Sequence, residues 1–312
     1  MAAQAAGSGG GGGGGGEQAE PTTVLLDADL HCPLIGLGTY KLSSADGVAK
    51  ALAVGYRMID CAPAYENEKV VGQGLQSFLE QGRRGELVIV SKVWNDAHRP
   101  AELRRSVEQS LADLGCGQLD ICLLHWPDAW KPGTQEPDDT VTLRETWAAM
   151  EALVDDGLAR HIGVSNFSLA QVEDLASWAR IRPVCNQVEL HPMLVQRSLV
   201  DGCRRLGVHP IAYGPLGHGK GGLLDHPVVA QVVQAAGRTP AEVLLRWNVQ
   251  RGVPVIPKAG SEPHLRTNIQ GLFGWRLTPD QQAQLDALDS HTRFVNNSWH
   301  DWGDVEERPA AA

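Results

Sequence analysis

The 312-residue chain is predicted to be an α/β protein, a (β/α)8 barrel of the TIM type preceded by a short N-terminal β-hairpin. Three observations predict it. Short apolar, β-rich runs recur eight times, and runs of this kind suit strands buried on both faces of a parallel sheet. Amphipathic helical patterns follow most of these runs over about 250 residues, the length of one barrel. Ionisable residues stand near the carboxyl ends of separate runs, which is where such barrels carry their chemistry.

Gly9 to Gly16 is an unbroken glycine run in an Ala/Gly/Ser/Gln segment, so residues 1–21 are expected to be a disordered tail. Val24-Leu25-Leu26, Asp27-Ala28-Asp29 and Leu30-His31-Cys32 read as strand, turn and strand of a hairpin. The eight predicted barrel strands are Pro33–Leu37, Arg57–Asp60, Leu87–Lys92, Leu119–His125, His161–Ser165, Val184–Glu189, His209–Tyr213 and Val253–Pro257. Pro100 opens a helical pattern carried by Leu103, Val107, Leu111 and Leu114, and Leu143, Trp147, Met150 and Val154 repeat it. Ser168 can cap a helix with Val172, Leu175, Ala176 and Ala179 on one face, and Leu199, Cys203 and Leu206 form another apolar face. No change of texture marks a second domain, so the barrel is expected over 22–303 with a flexible tail at 304–312. Trp299 and Trp302 fall in a final stretch expected to be an ordered loop that frays.

Composition narrows the function. Hydrophobic residues make up 43% and charged residues 21%, ordinary globular values. A net charge of −10 disfavours nucleic acid and anionic membranes as partners, and no apolar run reaches the length of a membrane span. Cys32, Cys61, Cys116, Cys122, Cys185 and Cys203 form no C-x-x-C pair and read as reduced packing residues, with no zinc site among them. No Lys or Arg precedes Lys41, while Glu17 and Glu20 are acidic, unlike a transit peptide; a cytoplasmic protein is the expectation.

Two motifs compete for attention. Gly217-His218-Gly219-Lys220-Gly221-Gly222 satisfies G-x-G-x-x-G, but Leu223 to Pro227 follow where a dinucleotide fingerprint opens a helix. It is expected to be a barrel loop that closes over a bound phosphate. The second motif is dispersed: Asp60, Tyr65, Lys92 and His125 sit at or just after strand ends, a set that suits a proton donor with tuning partners. Singly, each also reads as packing or an ordinary ion pair.

From about residue 22 to 303 the chain resembles the aldo-keto reductases. The resemblance rests on Gly55-Tyr56-Arg57-Met58-Ile59-Asp60-Cys61-Ala62 with Tyr65, Glu68 and Gly72, on Gly157 to Phe167, and on Ile256-Pro257-Lys258. Asn186-Gln187-Val188-Glu189 with His191-Pro192, and Ala212-Tyr213 with Pro215-Leu216-Gly217, add to it. Met58 departs from the family pattern as a packing change, Ala259 replaces a Ser or Thr, and His264 stands where the family has Arg, with Arg266 two positions later.

The resemblance implies an alcohol dehydrogenase (NADP+)-type reduction of aldehydes, ketones or sugar aldoses to alcohols, without metal, by a monomer. NADPH (NADP+) is the implied cofactor, and the altered third stretch leaves NADH open. Tyr65 is implied as general acid, Lys92 as the cation that eases its ionisation, Asp60 as the carboxylate that fixes Lys92, and His125 as the group that orients the substrate oxygen. Ser165, Asn166 and Gln187 are implied to bind the nicotinamide carboxamide, Tyr213 to stack on its ring, and Leu216 to line the pyrophosphate with the loop to Lys220. Lys258, Arg266 and Asn268 are implied at the adenosine end. Tyr40, Trp94, Trp126 and Trp299 are expected to shape a pocket for a small carbonyl substrate, together with His125. The rival readings are a non-catalytic nucleotide-sensing barrel subunit and a phosphate-binding barrel isomerase, for which Glu189 is the strand-end carboxylate.

Overall fold

The structure, a computed structural model, describes residues 20–302. Residues 1–19 and 303–312 lie outside the described residues, and with them most of the expected N-terminal tail and the expected C-terminal one. Glu20, placed in the tail by the sequence reading, pairs with Arg246.

The chain opens on the expected hairpin, β1 (Thr23–Asp27) and β2 (Leu30–Pro33), antiparallel with Val24 opposite Cys32. Its apolar residues Leu26, Leu30 and Cys32 pack with Met58, Val90, Ile121, Leu123, Ile211 and Ile256, which fill the barrel. The hairpin thus plugs the amino-terminal mouth and leaves the carboxyl-terminal mouth for chemistry.

Seven parallel strands follow in chain order: β3 (Leu37–Gly38), β4 (Met58–Asp60), β5 (Val88–Val93), β6 (Leu119–Leu124), β7 (Ala159–Ser165), β8 (Cys185–Glu189) and β9 (His209–Tyr213). The eighth predicted strand is not a regular one. Val255 makes single parallel bridges to Ile35 on one side and Ala212 on the other, with Gly36 N to Val255 O at 2.8 Å and Ile256 N to Ala212 O at 3.0 Å. Pro254 and Pro257 have no N–H to donate, so the ladder breaks off while the ring still closes. The first predicted strand shifts for a related reason: Pro33 ends the hairpin, and regular pairing begins only at Leu37.

The connecting helices are α1 (Ala45–Val54), α2 (Glu68–Glu80), α3 (Pro100–Leu114), α4 (Leu143–Asp155), α5 (Leu169–Trp178), α6 (Arg197–Arg205), α7 (Pro227–Ala236), α8 (Pro240–Val249), α9 (Glu262–Gln270) and α10 (Pro279–Asp286). Capping boxes begin α4 (Thr142 with Glu145) and α5 (Ser168 with Gln171), each satisfying backbone donors the first turn leaves free. The apolar stripes read from the sequence face the strands: Leu103, Val107 and Leu114 of α3, and Trp147 and Met150 of α4, join the outer core.

Strand alternation sorts the side chains. Ile59, Ile89, Cys122, Leu124, Ile162 and Val164 face outward to the helices, while Met58, Val90, Ile121 and Cys185 face inward. Met58 is fully buried with its sulfur 3.4 Å from Cys32 Sγ, so it is the packing residue expected. It also explains Gly36, where a Cβ would lie 2.6 Å from Met58 Cε. All six cysteines are free and buried. The Gly217–Gly222 segment is a loop: Gly217, His218, Gly219, Gly221 and Gly222 have positive φ, and α7 starts only at Pro227. Among the described residues no helix is long and apolar enough to cross a membrane.

Candidate active site

Inward parity carries polar residues to the open mouth. Asp60 ends β4, Lys92 lies one residue before the end of β5, His125 follows β6, Ser165 ends β7, Gln187 lies in β8 and Tyr213 ends β9. Tyr65 reaches the same place from the 3-10 turn Pro63–Tyr65 that follows β4.

These side chains form one connected network. Lys92 Nζ donates to Asp60 Oδ1 at 2.6 Å, to the Cys61 carbonyl at 2.8 Å and to the Tyr65 hydroxyl at 3.2 Å. Gln187 Nε2 donates to the other Asp60 oxygen at 2.6 Å. Thr39 Oγ1 and Thr39 N both donate to the Asp60 carbonyl, which ties β4 to the loop before α1. Asp60 and Lys92 are 1% exposed, so this ion pair has exchanged water for a full set of protein partners.

The electrostatics follow from enclosure. Burial pushes the Tyr65 phenol up to about 12 although Lys92 pulls the other way, so the hydroxyl keeps its proton at neutral pH. The sequence predicts that an ammonium favours phenolate. Lys92 acts in that direction, and burial outweighs it in the net shift. Burial also works against the Lys92 charge, but Asp60 and Tyr65 overcome it and raise its pKa, so it stays an ammonium. Burial, and then Lys92, hold His125 well below the usual imidazole range, so it is neutral. His125 Nδ1 is enclosed without a hydrogen-bond partner among the described residues.

Beside this group lies a second one. Asn166 adopts a left-handed φ of 61°, which Asn tolerates better than most residues, and its Nδ2 donates to the His125 carbonyl at 2.9 Å. The Tyr213 hydroxyl donates to Asn166 Oδ1 at 2.8 Å, and Ser165 Oγ donates to the Gln187 carbonyl at 2.8 Å. Asn166, Ser165, Gln187 and Tyr213 thus sit together and connect through Gln187 to Asp60.

The remaining predicted residues divide. Leu216 packs against the outer core. Lys258 is exposed. Arg266, also exposed, is held by Glu262 through Nε at 2.8 Å and a terminal nitrogen at 2.6 Å, both to Oε1. Asn268 is buried in α9, where the Tyr56 hydroxyl donates to the Leu265 carbonyl at 3.3 Å. Among the described residues none of these four side chains hydrogen-bonds to Asp60, Tyr65, Lys92 or His125.

Aromatic rings wall the mouth. The Tyr40 ring lies 5.2 Å from that of Tyr65, and Trp94 lies 4.9 Å from His125. Trp299 contacts Trp94, Trp126 and Trp130 edge-on at 6.2, 4.9 and 4.9 Å. The sequence reading missed Trp130, whose signal was its place five residues after His125, and His300, whose Nδ1 lies 2.5 Å from Asp128 Oδ2. It also missed the anchor of this tail: the Glu189 carboxylate accepts the backbone N–H groups of Phe294 and Val295 at 3.0 Å each. Lys220 Nζ lies 3.4 Å from the Phe294 carbonyl.

Arranged this way, the mouth offers a half-buried tyrosine hydroxyl with its proton, a neutral imidazole beside it, and a wall of rings. Its amide and hydroxyl groups both donate and accept, which matches a carboxamide, and the exposed Lys258 ammonium matches a phosphate.

Comparison with known proteins places the chain. The family model described as "Aldo/keto reductase family" matches residues 35–290. "Aldo-keto reductase family 1 member A1-A" of Danio rerio is 40% identical over 298 residues, covering 88% of this chain and 91% of the relative. "Aldo-keto reductase family 1 member A1" of Homo sapiens is 39% identical, covering 87% and 90%. The solved aldose reductase of Schistosoma japonicum superposes with a TM-score of 0.82 at 34% identity, covering 90% of this chain and 96% of that one.

Proposed function

The chain belongs to the aldo/keto reductase family, an oxidoreductase family, and on that premise we propose that it reduces aldehydes or ketones to alcohols with NADPH, with Tyr65 delivering the proton. The observation that carries the proposal is the 3.2 Å contact between Lys92 Nζ and the Tyr65 hydroxyl inside a closed Asp60–Lys92 pair.

The nicotinamide supplies a hydride when bound; Ser165, Asn166 and Gln187 would hold its carboxamide, Tyr213 would pack on its ring, and Lys258 would face the 2′-phosphate. The rest is work for this chain's own groups. Tyr65 holds its proton at neutral pH, as an ordinary tyrosine does and desolvation reinforces, and Lys92 lowers the cost of giving it up as the substrate oxygen gains charge. Asp60 and the Cys61 carbonyl hold the ammonium in place, so little reorganisation is needed. Neutral His125 can donate one ring N–H to the same oxygen and so aim the carbonyl at the proton donor. Trp94, Trp126, Trp130 and Trp299 shield the site from water and take the apolar part of a carbonyl substrate.

The test is Tyr65→Phe. Near-complete loss of aldehyde reduction with NADPH affinity retained is expected. Substantial residual turnover sinks the general-acid role. Titrating the wild type with NADPH and NADH while following tryptophan fluorescence separates the remaining readings: selective NADPH binding supports the assignment, nucleotide binding without turnover of any carbonyl favours a sensing subunit, and binding of neither overturns the reductase reading.

A further inference from the structure

The opposite, amino-terminal rim of the barrel carries a polar cluster that carbonyl reduction does not use. Asp27 ends β1 and Asp29 lies in the two-residue turn of the plugging hairpin, and the ring of His161, near the start of β7, lies against both. His161 is 7% exposed, although it lies at a rim. Its Nδ1 is 3.4 Å from Asp27 Oδ2 and its Nε2 is 3.3 Å from Asp29 Oδ1. Nε2 is fully enclosed and makes no hydrogen bond of acceptable geometry among the described residues.

The carboxylates are arranged to leave one oxygen each for this ring. Asp27 Oδ1 accepts the Ala28 N–H at 2.7 Å, and Asp29 Oδ2 takes Arg160 at 2.9 Å. Asp27 Oδ2 and Asp29 Oδ1 face the imidazole, and one ligand atom from each of the three residues can be chosen so that all lie within 4.8 Å of one another. A neutral imidazole has one N–H, which suits one of these carboxylates, and one lone pair, which meets the other favourably only with a cation or a second ring proton between them. Burial, and then Arg204, lower the half-buried His209 imidazole below its ordinary range, against an opposite pull from Asp27.

We propose that Asp27, Asp29 and His161 form a divalent-metal site of the zinc class that ties the hairpin to β7, apart from the catalytic mouth. One imidazole nitrogen and two carboxylates suit zinc and neighbouring borderline cations better than calcium or magnesium, which take oxygen ligands alone. Tetrahedral zinc with bonds of about 2.0–2.2 Å spaces its ligands roughly 3.4 Å apart, close to the distance from either ring nitrogen to the carboxylate it faces; the ion takes one ring nitrogen, the second carboxylate closes from within 4.8 Å, and water completes the fourth position. Both acids are exposed, with side chains 52% and 64% accessible, so the more distant one can close on the ion without disturbing the core. The thiols do not compete: burial pushes Cys32 and Cys122 up to about 12 and Cys116 and Cys203 up to about 11, and raises Cys61 and Cys185 well above the usual range.

The experiment is calorimetric titration of the metal-stripped full-length protein with Zn2+, with Co2+ absorption as the coordination readout. One saturable site, a tetrahedral Co2+ spectrum and a rise in melting temperature with Zn2+ are expected. Asp27→Asn with Asp29→Asn, two exposed positions that preserve the fold, should weaken binding by at least about 100-fold, since loss of an outer-shell partner alone costs 10–100-fold. His161→Gln should do the same. No saturable binding by the wild type, or equal binding by the doubly substituted protein, overturns the proposal. So does a hairpin whose stability responds to pH and not to Zn2+, because then the three groups share only a proton.

Discussion

Replacing Lys92 by Met separates the electrostatic role of the ammonium from the mere presence of the tyrosine. At 3.2 Å and an effective dielectric near 20, Lys92 stabilises a Tyr65 phenolate by about 5 kcal/mol. If half the charge has developed in the transition state, roughly 2.5 kcal/mol is lost, close to a hundredfold in rate; full development sets a ceiling near 10⁴-fold. The single change also strands Asp60, which keeps Gln187 as a donor but loses its buried counter-charge, at a cost of about 3–5 kcal/mol in stability. The matched control is therefore Asp60→Asn with Lys92→Met, which removes both charges from a site that stays dry. The assay is kcat at saturating NADPH and aldehyde, beside a thermal melt and the NADPH dissociation constant. Both variants should lose at least about 100-fold in kcat and bind NADPH within about threefold of wild type, with the double variant the more stable. A folded double variant within about fivefold of wild-type kcat would refute the role given to Lys92.

Further outcomes follow from other sites. Lys258→Ala should weaken NADPH binding about tenfold or more and leave NADH nearly unchanged, because a charge-assisted bond to a phosphate is at stake; equal losses for both nucleotides would remove Lys258 from that role. Glu189→Gln leaves one of the Phe294 and Val295 N–H groups without its acceptor, so the tail bearing Trp299 should loosen, KM for aromatic aldehydes should rise, and protease cleavage near residue 294 should quicken. Burial, against a weaker pull from Asp128, lowers His98 to about 4 from an ordinary value near 6.5. The unfolded chain then binds more protons between those pH values, so the stability is present above pH 6.5 and lost as pH falls through about 4, a change of about 3 kcal/mol. Urea unfolding of wild type and His98→Asn across that range should show the slope only in the wild type.

The local rules that shaped the fold were visible in the chain. Periodicity placed α3 and α4, Ser168 announced α5 as its cap, and apolar runs located β4 to β9 within a residue or two. The eighth strand misled because apolar character was all the run showed, while Pro254 and Pro257 had already removed the donors a regular ladder needs. Asp60, Tyr65, Lys92 and His125 could be grouped from sequence because strand ends in a barrel converge on one mouth.

Sequence alone determined the barrel, its inward parity and which ionisable groups would meet, since these depend on spacing along single strands. Tertiary structure decided the rest. It set the balance of burial against the Lys92 charge at Tyr65 and the joint effect of both that keeps His125 neutral, because desolvation depends on everything packed around a group. It brought Trp299 and His300 onto Trp126 and Asp128, contacts between segments some 170 residues apart that no local pattern encodes. And it set His161 against Asp27 and Asp29, because only the closing of the hairpin over the barrel floor brings that strand start to that loop.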